Sequence, residues 1–208
     1  MTVLDRIASR QDRRDDVPNQ ELAKELAAAN NTDGIKEIAG NLSNKDKNVQ
    51  SDCIKVLYEI GYLKPELIKG YAEDFIKLLK SKNNRLVWGS MIALSTVAGL
   101  MADVIYSRLE DIYAAMSSGS VITLDNGIKV LALVASRKEE YGAAIFPYLM
   151  NHLASCRPKE VCQHAESILA TVHDGNKGEY LNILKKREES LTAAQLTRLK
   201  KIYKAIQK

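Results

Sequence analysis

The octapeptide IKVLYEIG occupies residues 54–61, and IKVLALVA occupies residues 128–135, 74 positions later. A third copy stands between them. SNKDKNVQSDCIKVLYEIGYL (43–63) aligns with SKNNRLVWGSMIALSTVAGLM (81–101) at an offset of 38, which sets Val49 on Val87, Cys53 on Met91, Ile54 on Ile92, Val56 on Leu94 and Gly61 on Gly99. A step of 36 carries Ile92 and Leu94 onto Ile128 and Val130, and a further step of 38 carries Cys53, Val56, Leu57 and Ile60 onto Ala165, Ile168, Leu169 and Val172. Four segments therefore recur with a period near 37. One position departs from the pattern, because Ile54 falls on Glu166 in the last copy.

Within each copy the apolar residues follow i, i+4, i+7, i+8 and i+11, the face of an α-helix. Second helical stripes lie between the copies: Ile35, Ile38, Leu42; Leu67, Phe75, Leu78, Leu79; Ile105, Leu109, Ile112, Met116; Ile145, Tyr148, Leu149, Leu153; and Tyr180, Leu181, Leu184. Polar and breaker residues separate the two kinds of segment at Ser43–Asp46, Ser81–Asn84, Ser117–Ser120 and Arg157–Pro158. Asp46 and Ser120 are placed as N-caps, and Pro65 suits the first turn of a helix. The unit is a helical hairpin. A hairpin of this size cannot bury its apolar face alone, so neighbours must stack on it, and the expected fold is an all-α solenoid.

The chain resembles the HEAT-repeat family in its HEAT-like variant. Val49 with Cys53-Ile54-x-Val56-Leu57, and Val87 with Met91-Ile92-x-Leu94, carry the resemblance. It implies a right-handed α-solenoid of about five HEAT-like helical hairpins with N- and C-terminal capping helices. The expected organisation is one repeat domain over 1–208, with an N-terminal cap at 1–32, repeats at 33–173 and a last repeat or C-terminal cap at 174–208. The N-terminal cap reads as one or two helices broken near Asp15–Pro18. At the other end, Leu196, Leu199 and Ile202 line one side of a lysine-rich helix, as a terminal cap requires.

Composition agrees with that class. Apolar residues make up 46% of the 208 and charged residues 27%, with 11 Gly and 4 Pro. Three cysteines, Cys53, Cys156 and Cys162, do not form the framework of a disulfide-rich secreted domain, and the amphipathic start MTVLDRIASRQDRRDD has no apolar signal core. A cytoplasmic protein is expected. The apolar run 86–105 is long enough to suggest a membrane span, but its Gly, Ser, Thr and Asp residues favour a helix buried on most of its circumference. No membrane partner is expected. Net charge is +4 and uneven: Asn176–Lys208 holds nine Lys/Arg against three Asp/Glu, a balance of +6, leaving −2 on the remainder.

The resemblance implies a concave surface formed by the second helix of each unit. The rows there read Asn48, Asp52, Lys55, Glu59; Leu86, Ser90, Ala93, Val97; Ile122, Asn126, Lys129, Leu133; and Glu160, His164, Ser167, Thr171. The expected partner-binding residues are Trp88, Ser90, Ala93, Val97, Asn126 and Lys129, with another protein or peptide lying on a small apolar centre. On this reading Ala93→Glu removes binding and leaves the helices intact. The expected function is a non-enzymatic protein-binding scaffold.

The alternative is a DNA-binding protein or an alkylpurine DNA glycosylase, a branch of HEAT-like proteins that needs a basic surface, aromatic contacts with the base and a carboxylate. Arg85, Trp88 and Asp125 are the candidate trio, but Asp52, Glu59 and Glu160 offset Lys55 and Lys129 in the rows. The C-terminal Lys185, Lys186, Arg187, Arg198, Lys200, Lys201 and Lys204 read first as a solvated helix face. His152, Cys156, Cys162 and His164 form the most conspicuous titratable group. His152 and Cys156 share a helix face as a metal pair would, whereas Cys162 and His164, two apart, point to different sides. No metal, no cofactor and no catalytic residue is expected, and no Gly-rich phosphate loop, HExxH, GxSxG or CxxC occurs.

Overall fold

The computed structural model describes residues 2–206. Among them there is no strand, and twelve α-helices follow one another. They are α1 Val17–Ala28, α2 Thr32–Gly40, α3 Lys47–Leu63, α4 Ala72–Leu78, α5 Asn84–Val97, α6 Ala102–Tyr106, α7 Leu109–Ser118, α8 Val121–Ala135, α9 Glu139–Ser155, α10 Pro158–Ile168, α11 Lys177–Arg187 and α12 Ala193–Ile206. The recurring segments become α3, α5, α8 and α10, which begin 37 residues apart each time. The fold is an all-α solenoid. Its helices divide into two compact units, with the boundary between Gly127 and Ile128 inside α8.

In the first unit, α3 is packed by α1, α2 and α5, and α4 is packed by α5 and α6. Second helices thus stack on second helices, and first helices on first. Val49, Cys53, Ile54, Val56, Leu57 and Ile60 of α3, and Met91 and Leu94 of α5, are fully buried. Each fully buried side chain of this size contributes roughly 1.5–3 kcal/mol relative to exposure.

Local chemistry sets the helix starts. Asp46 accepts from the Asn48 N–H at 2.8 Å, and Asn83 accepts from the Arg85 N–H at 3.1 Å. Ser120 Oγ accepts from the Thr123 N–H at 3.3 Å. Asn30 turns the chain between α1 and α2 with φ 49°, a left-handed value that Asn tolerates. Asn31 then caps α2 through the Gly34 N–H at 2.9 Å.

One expected stripe is corrected in this unit, and two other readings are made more specific. The N-terminal cap begins with two short 3-10 segments, Val3–Arg6 and Ala8–Gln11, and its one α-helix starts at Val17 with Pro18 in the first turn. The stripe assigned to Leu67 and Leu78 runs instead through Ile68, Phe75, Ile76 and Leu79, all buried, while Leu67 and Leu78 are half-buried. The apolar run 86–105 is interrupted between Val97 and Ala102, and no helix among the described residues is long and apolar enough to cross a membrane.

In the second unit, α9 packs on α10 and α11, and α10 packs on α12. Arg187 of α11 donates to the carbonyls of Ala154 and Cys156, each at 2.5 Å, satisfying the C-terminal end of α9. Gln195 of α12 donates to the Pro158 carbonyl at 3.0 Å. The departure at Glu166 has a structural reason: its carboxylate receives the Arg198 guanidinium at 2.6 and 2.5 Å. That position lies toward α12 and water rather than in an apolar layer. Leu199 and Ile202 of α12 are buried, while Lys200, Lys201 and Lys204 are exposed.

Candidate functional site

The row expected to form an apolar groove is closed. Ser90, Ala93 and Val97 each have 0% exposure. From Leu86 to Val97, α5 carries nothing more polar than Gly, Ser, Thr and a single Trp, so it has no face suited to water. These three residues are therefore core, and Ala93→Glu would place a carboxylate in the interior. The lack of a charged residue over that stretch was the signal that could have shown it. Trp88 and Asn126 remain half-buried and Lys129 exposed.

Around Trp88 the first unit builds a mixed aromatic and ionic surface. Its indole lies 6.3 Å from the Tyr58 ring at 54°, and Tyr58 meets the ring of Tyr62 edge-on at 6.1 Å. Tyr58, Glu59 and Tyr62 share a face of α3 with Lys55 by their i, i+3, i+4, i+7 spacing. The Lys55 ammonium sits 4.9 Å over the Tyr58 ring, 2.8 Å from Glu59 and 3.4 Å from Asp16. Burial draws the Lys55 pKa down, but the bonds to Glu59 and Tyr58 outweigh it and leave the ammonium held well above its ordinary value. Burial also pushes the Tyr58 and Tyr62 phenols up. Tyr62 is 54% exposed, so the surface has an accessible aromatic edge beside a charge cluster in which Asp16 and Glu59 outnumber Lys55.

Asp52, from the same expected row, serves the fold. It accepts from the Ser9 N–H at 2.7 Å and from the Asn19 side chain at 2.8 Å, and Asn19 in turn accepts from the Ala8 N–H at 2.9 Å.

In the second unit, His152 of α9 and Cys156, the residue that follows that helix, meet His164 of α10. Their ligand-type atoms all lie within 4.8 Å of one another, and His152 Nε2 is 2.9 Å from His164 Nδ1. Cys162 is not part of this group; its thiol donates to the Gln195 carbonyl at 3.3 Å. Burial pushes the Cys156 thiol up to about 11, with Arg187 opposing. Glu160 accepts from Arg157 Nε at 2.9 Å, and that bond holds its carboxyl below the usual range. A cleft of about 720 Å³ opens elsewhere in this unit, lined by Lys138, Glu139, Phe146, Val172, His173 and Asn176. Of the C-terminal basic residues, Arg187 and Arg198 are engaged by backbone and by Glu166, while Lys185, Lys186, Lys200, Lys201 and Lys204 are exposed.

The fold and its surfaces define a helical-repeat protein. No protein-family model and no curated protein sequence matches the chain. Several solved structures do. An engineered protein of the Northeast Structural Genomics Consortium is similar with TM-score 0.67 at 19% identity, over 100% of this chain and 96% of that one. A second engineered protein from the same consortium gives 0.57 at 20% identity, over 97% and 90%. Kap121p, in its complex with Nup53p, gives 0.60 at 18% identity; 89% of this chain is covered, and it spans only 21% of the Kap121p chain. At these identities the likeness is one of fold.

Proposed function

We propose that the chain is a HEAT-like, non-enzymatic scaffold that binds another protein or peptide through the face of its second helices, the side such repeats turn inward. The observation that carries this reading is the Trp88–Tyr58–Tyr62 cluster, where the exposed Tyr62 and the half-buried Trp88 flank the buried Tyr58 ring. Aromatic residues of this kind supply most of the energy at protein interfaces. Asn126 is kept as a further contact position of the first unit, and Lys129 separately as an exposed position of the second. The HEAT-like assignment is supported by the 37-residue spacing of the second helices and by the likeness to Kap121p, which is bound to Nup53p in that structure. A single repeat domain and a cytoplasmic location belong to the same reading. The location is supported by three cysteines held as free, buried thiols.

DNA binding is the weaker reading, because Asp16 and Glu59 stand beside the aromatic pair and would repel a phosphate backbone. The test is capture of proteins by wild type and by Trp88→Ala and Tyr62→Ala, identified by mass spectrometry, with circular dichroism of each variant. A protein retained by wild type and lost by both variants, at unchanged helix content, supports the scaffold. Equal capture by all three overturns the assigned surface. Salt-dependent affinity for a DNA duplex would favour the second reading.

A further inference from the structure

We propose that His152, Cys156 and His164 bind a divalent metal ion of borderline softness, with zinc as the representative ion. Two imidazoles and a thiolate are the donor set that zinc takes from proteins, leaving a fourth position for water or a ligand.

The geometry is close to what coordination needs. Ligand atoms around a tetrahedral zinc lie about 3.3–3.6 Å apart, given bonds of about 2.0–2.3 Å. Here the two ring nitrogens are 2.9 Å apart, and the three donors lie within 4.8 Å of one another. Closing the set asks the donors to shift by about an ångström, from separations of up to 4.8 Å to those around a bound ion. His152 lies in the last turn of α9 and Cys156 directly follows that helix, its N–H donating to the His152 carbonyl at 2.8 Å, so the end of α9 supplies both.

The frame around the donors is fixed. Arg187 holds the end of α9 through the carbonyls of Ala154 and Cys156. Tyr180 donates to the Ala165 carbonyl at 2.7 Å, one residue beyond His164. Arg157 and Glu160 tie down the start of α10. His164 is fully buried, whereas His152 is half-buried and gives an ion its way in.

The proton balance is simple. One ring now donates to the other, so on binding the proton between the facing nitrogens leaves that position, within the ring or to solvent. Both facing nitrogens then offer lone pairs. The Cys156 S–H bond breaks, its proton goes to solvent, and a sulfur–metal bond replaces it.

The test is titration of the full, untagged chain with Co²⁺ and then Zn²⁺. One equivalent of Co²⁺ should give visible ligand-field bands and a near-ultraviolet thiolate charge-transfer band, which Zn²⁺ displaces. Cys156→Ser should abolish the charge-transfer band. His152→Gln, at a partly exposed position, should weaken binding by more than about tenfold, since even loss of an outer-sphere partner costs that much. Cys162→Ser should change neither. Zn²⁺ should also raise the thermal midpoint of wild type and not that of His152→Gln. Failure of wild type to take up either ion overturns the proposal, as does an unchanged spectrum and affinity in Cys156→Ser and His152→Gln.

Discussion

Gly89 of α5 faces Ile54 of α3 so closely that a Cβ at Gly89 would lie 2.8 Å from Ile54 Cγ1 and 2.9 Å from its Cγ2. A Cβ at Gly61, further along α3, would run into the Thr96 hydroxyl in the same way. Glycine is used at both places because two second helices approach there with no room for a side chain. Both contacted atoms of Ile54 sit at its branch, next to the backbone, and cannot swing away. Gly89→Leu should therefore cost roughly 1–3 kcal/mol or more from overpacking, and Gly89→Ala less. Urea unfolding followed by circular dichroism should show a lower midpoint for both variants, in that order. A midpoint equal to wild type for Gly89→Leu would mean the two helices stand further apart.

Ser90 and Ala93 separate a tolerated change from a ruinous one on the same helix. Ser90 Oγ is buried with no hydrogen-bond partner among the described residues. Removing it in Ser90→Ala discards an unsatisfied polar group and should be neutral or stabilise by about 1 kcal/mol. Ala93→Glu buries a carboxylate at a site of 0% exposure and should cost several kcal/mol. Val56→Asp and Leu94→Asp should do the same, both positions being fully buried. Helix content of Ala93→Glu at ambient temperature is the discriminating measurement. Full retention would return Ala93 to the surface.

Asp52 holds the N-terminal segment through Ser9 and Asn19. Asp52→Ala leaves the buried Asn19 amide and a backbone N–H short of a charged acceptor, a loss of roughly 1–3 kcal/mol. The effect should be local. Amide hydrogen exchange should quicken over residues 3–11 and in α1 while α9 to α12 keep their protection. Uniform acceleration through the chain would show that the segment and the repeats open together.

The repeat was legible because burial imposes one spacing on every copy: Val49, Cys53, Val56 and Leu57 each report the same face. Glu166 was legible as an exception, and its contact with Arg198 supplies the reason. Closure of the α5 row was legible only in the lack of a charged residue from Leu86 to Val97, and the repeat alignment did not show it. Alignment gives the phase of a residue around its helix, but only packing on several sides decides whether that phase meets water. The meeting of His164 with His152 was hidden for a related cause. They lie on opposite sides of the turn at Arg157–Pro158, so a hairpin rather than a within-helix spacing brings them together. The 3-10 geometry of Val3–Arg6 and Ala8–Gln11 had no signal in apolar periodicity; the first segment is tied to Glu37 through the Leu4 N–H and the second to Asn19 and Asp52.

Alkaline pH should weaken the fold through Cys53. The thiol has 0% exposure; burial first, then the charges of Asp52 and Glu37, push it from an ordinary 9.0 up to about 12. Below pH 9.0 the thiol is protonated in both states, and its contribution to stability is fully present. Between 9.0 and about 12 the unfolded chain releases the proton while the folded chain keeps it, so unfolding gains and stability falls with rising pH. One such group contributes a slope approaching about 1.4 kcal/mol per pH unit in that window. Cys156, held near 11 by burial, and Tyr180, also raised by burial, add in the same direction. Urea midpoints of wild type should therefore drop between about pH 8.5 and pH 10.5, and Cys53→Ala should show a shallower drop from its own lower starting value. Parallel slopes in the two proteins would mean that Cys53 ionises as readily in the folded chain as in the unfolded one.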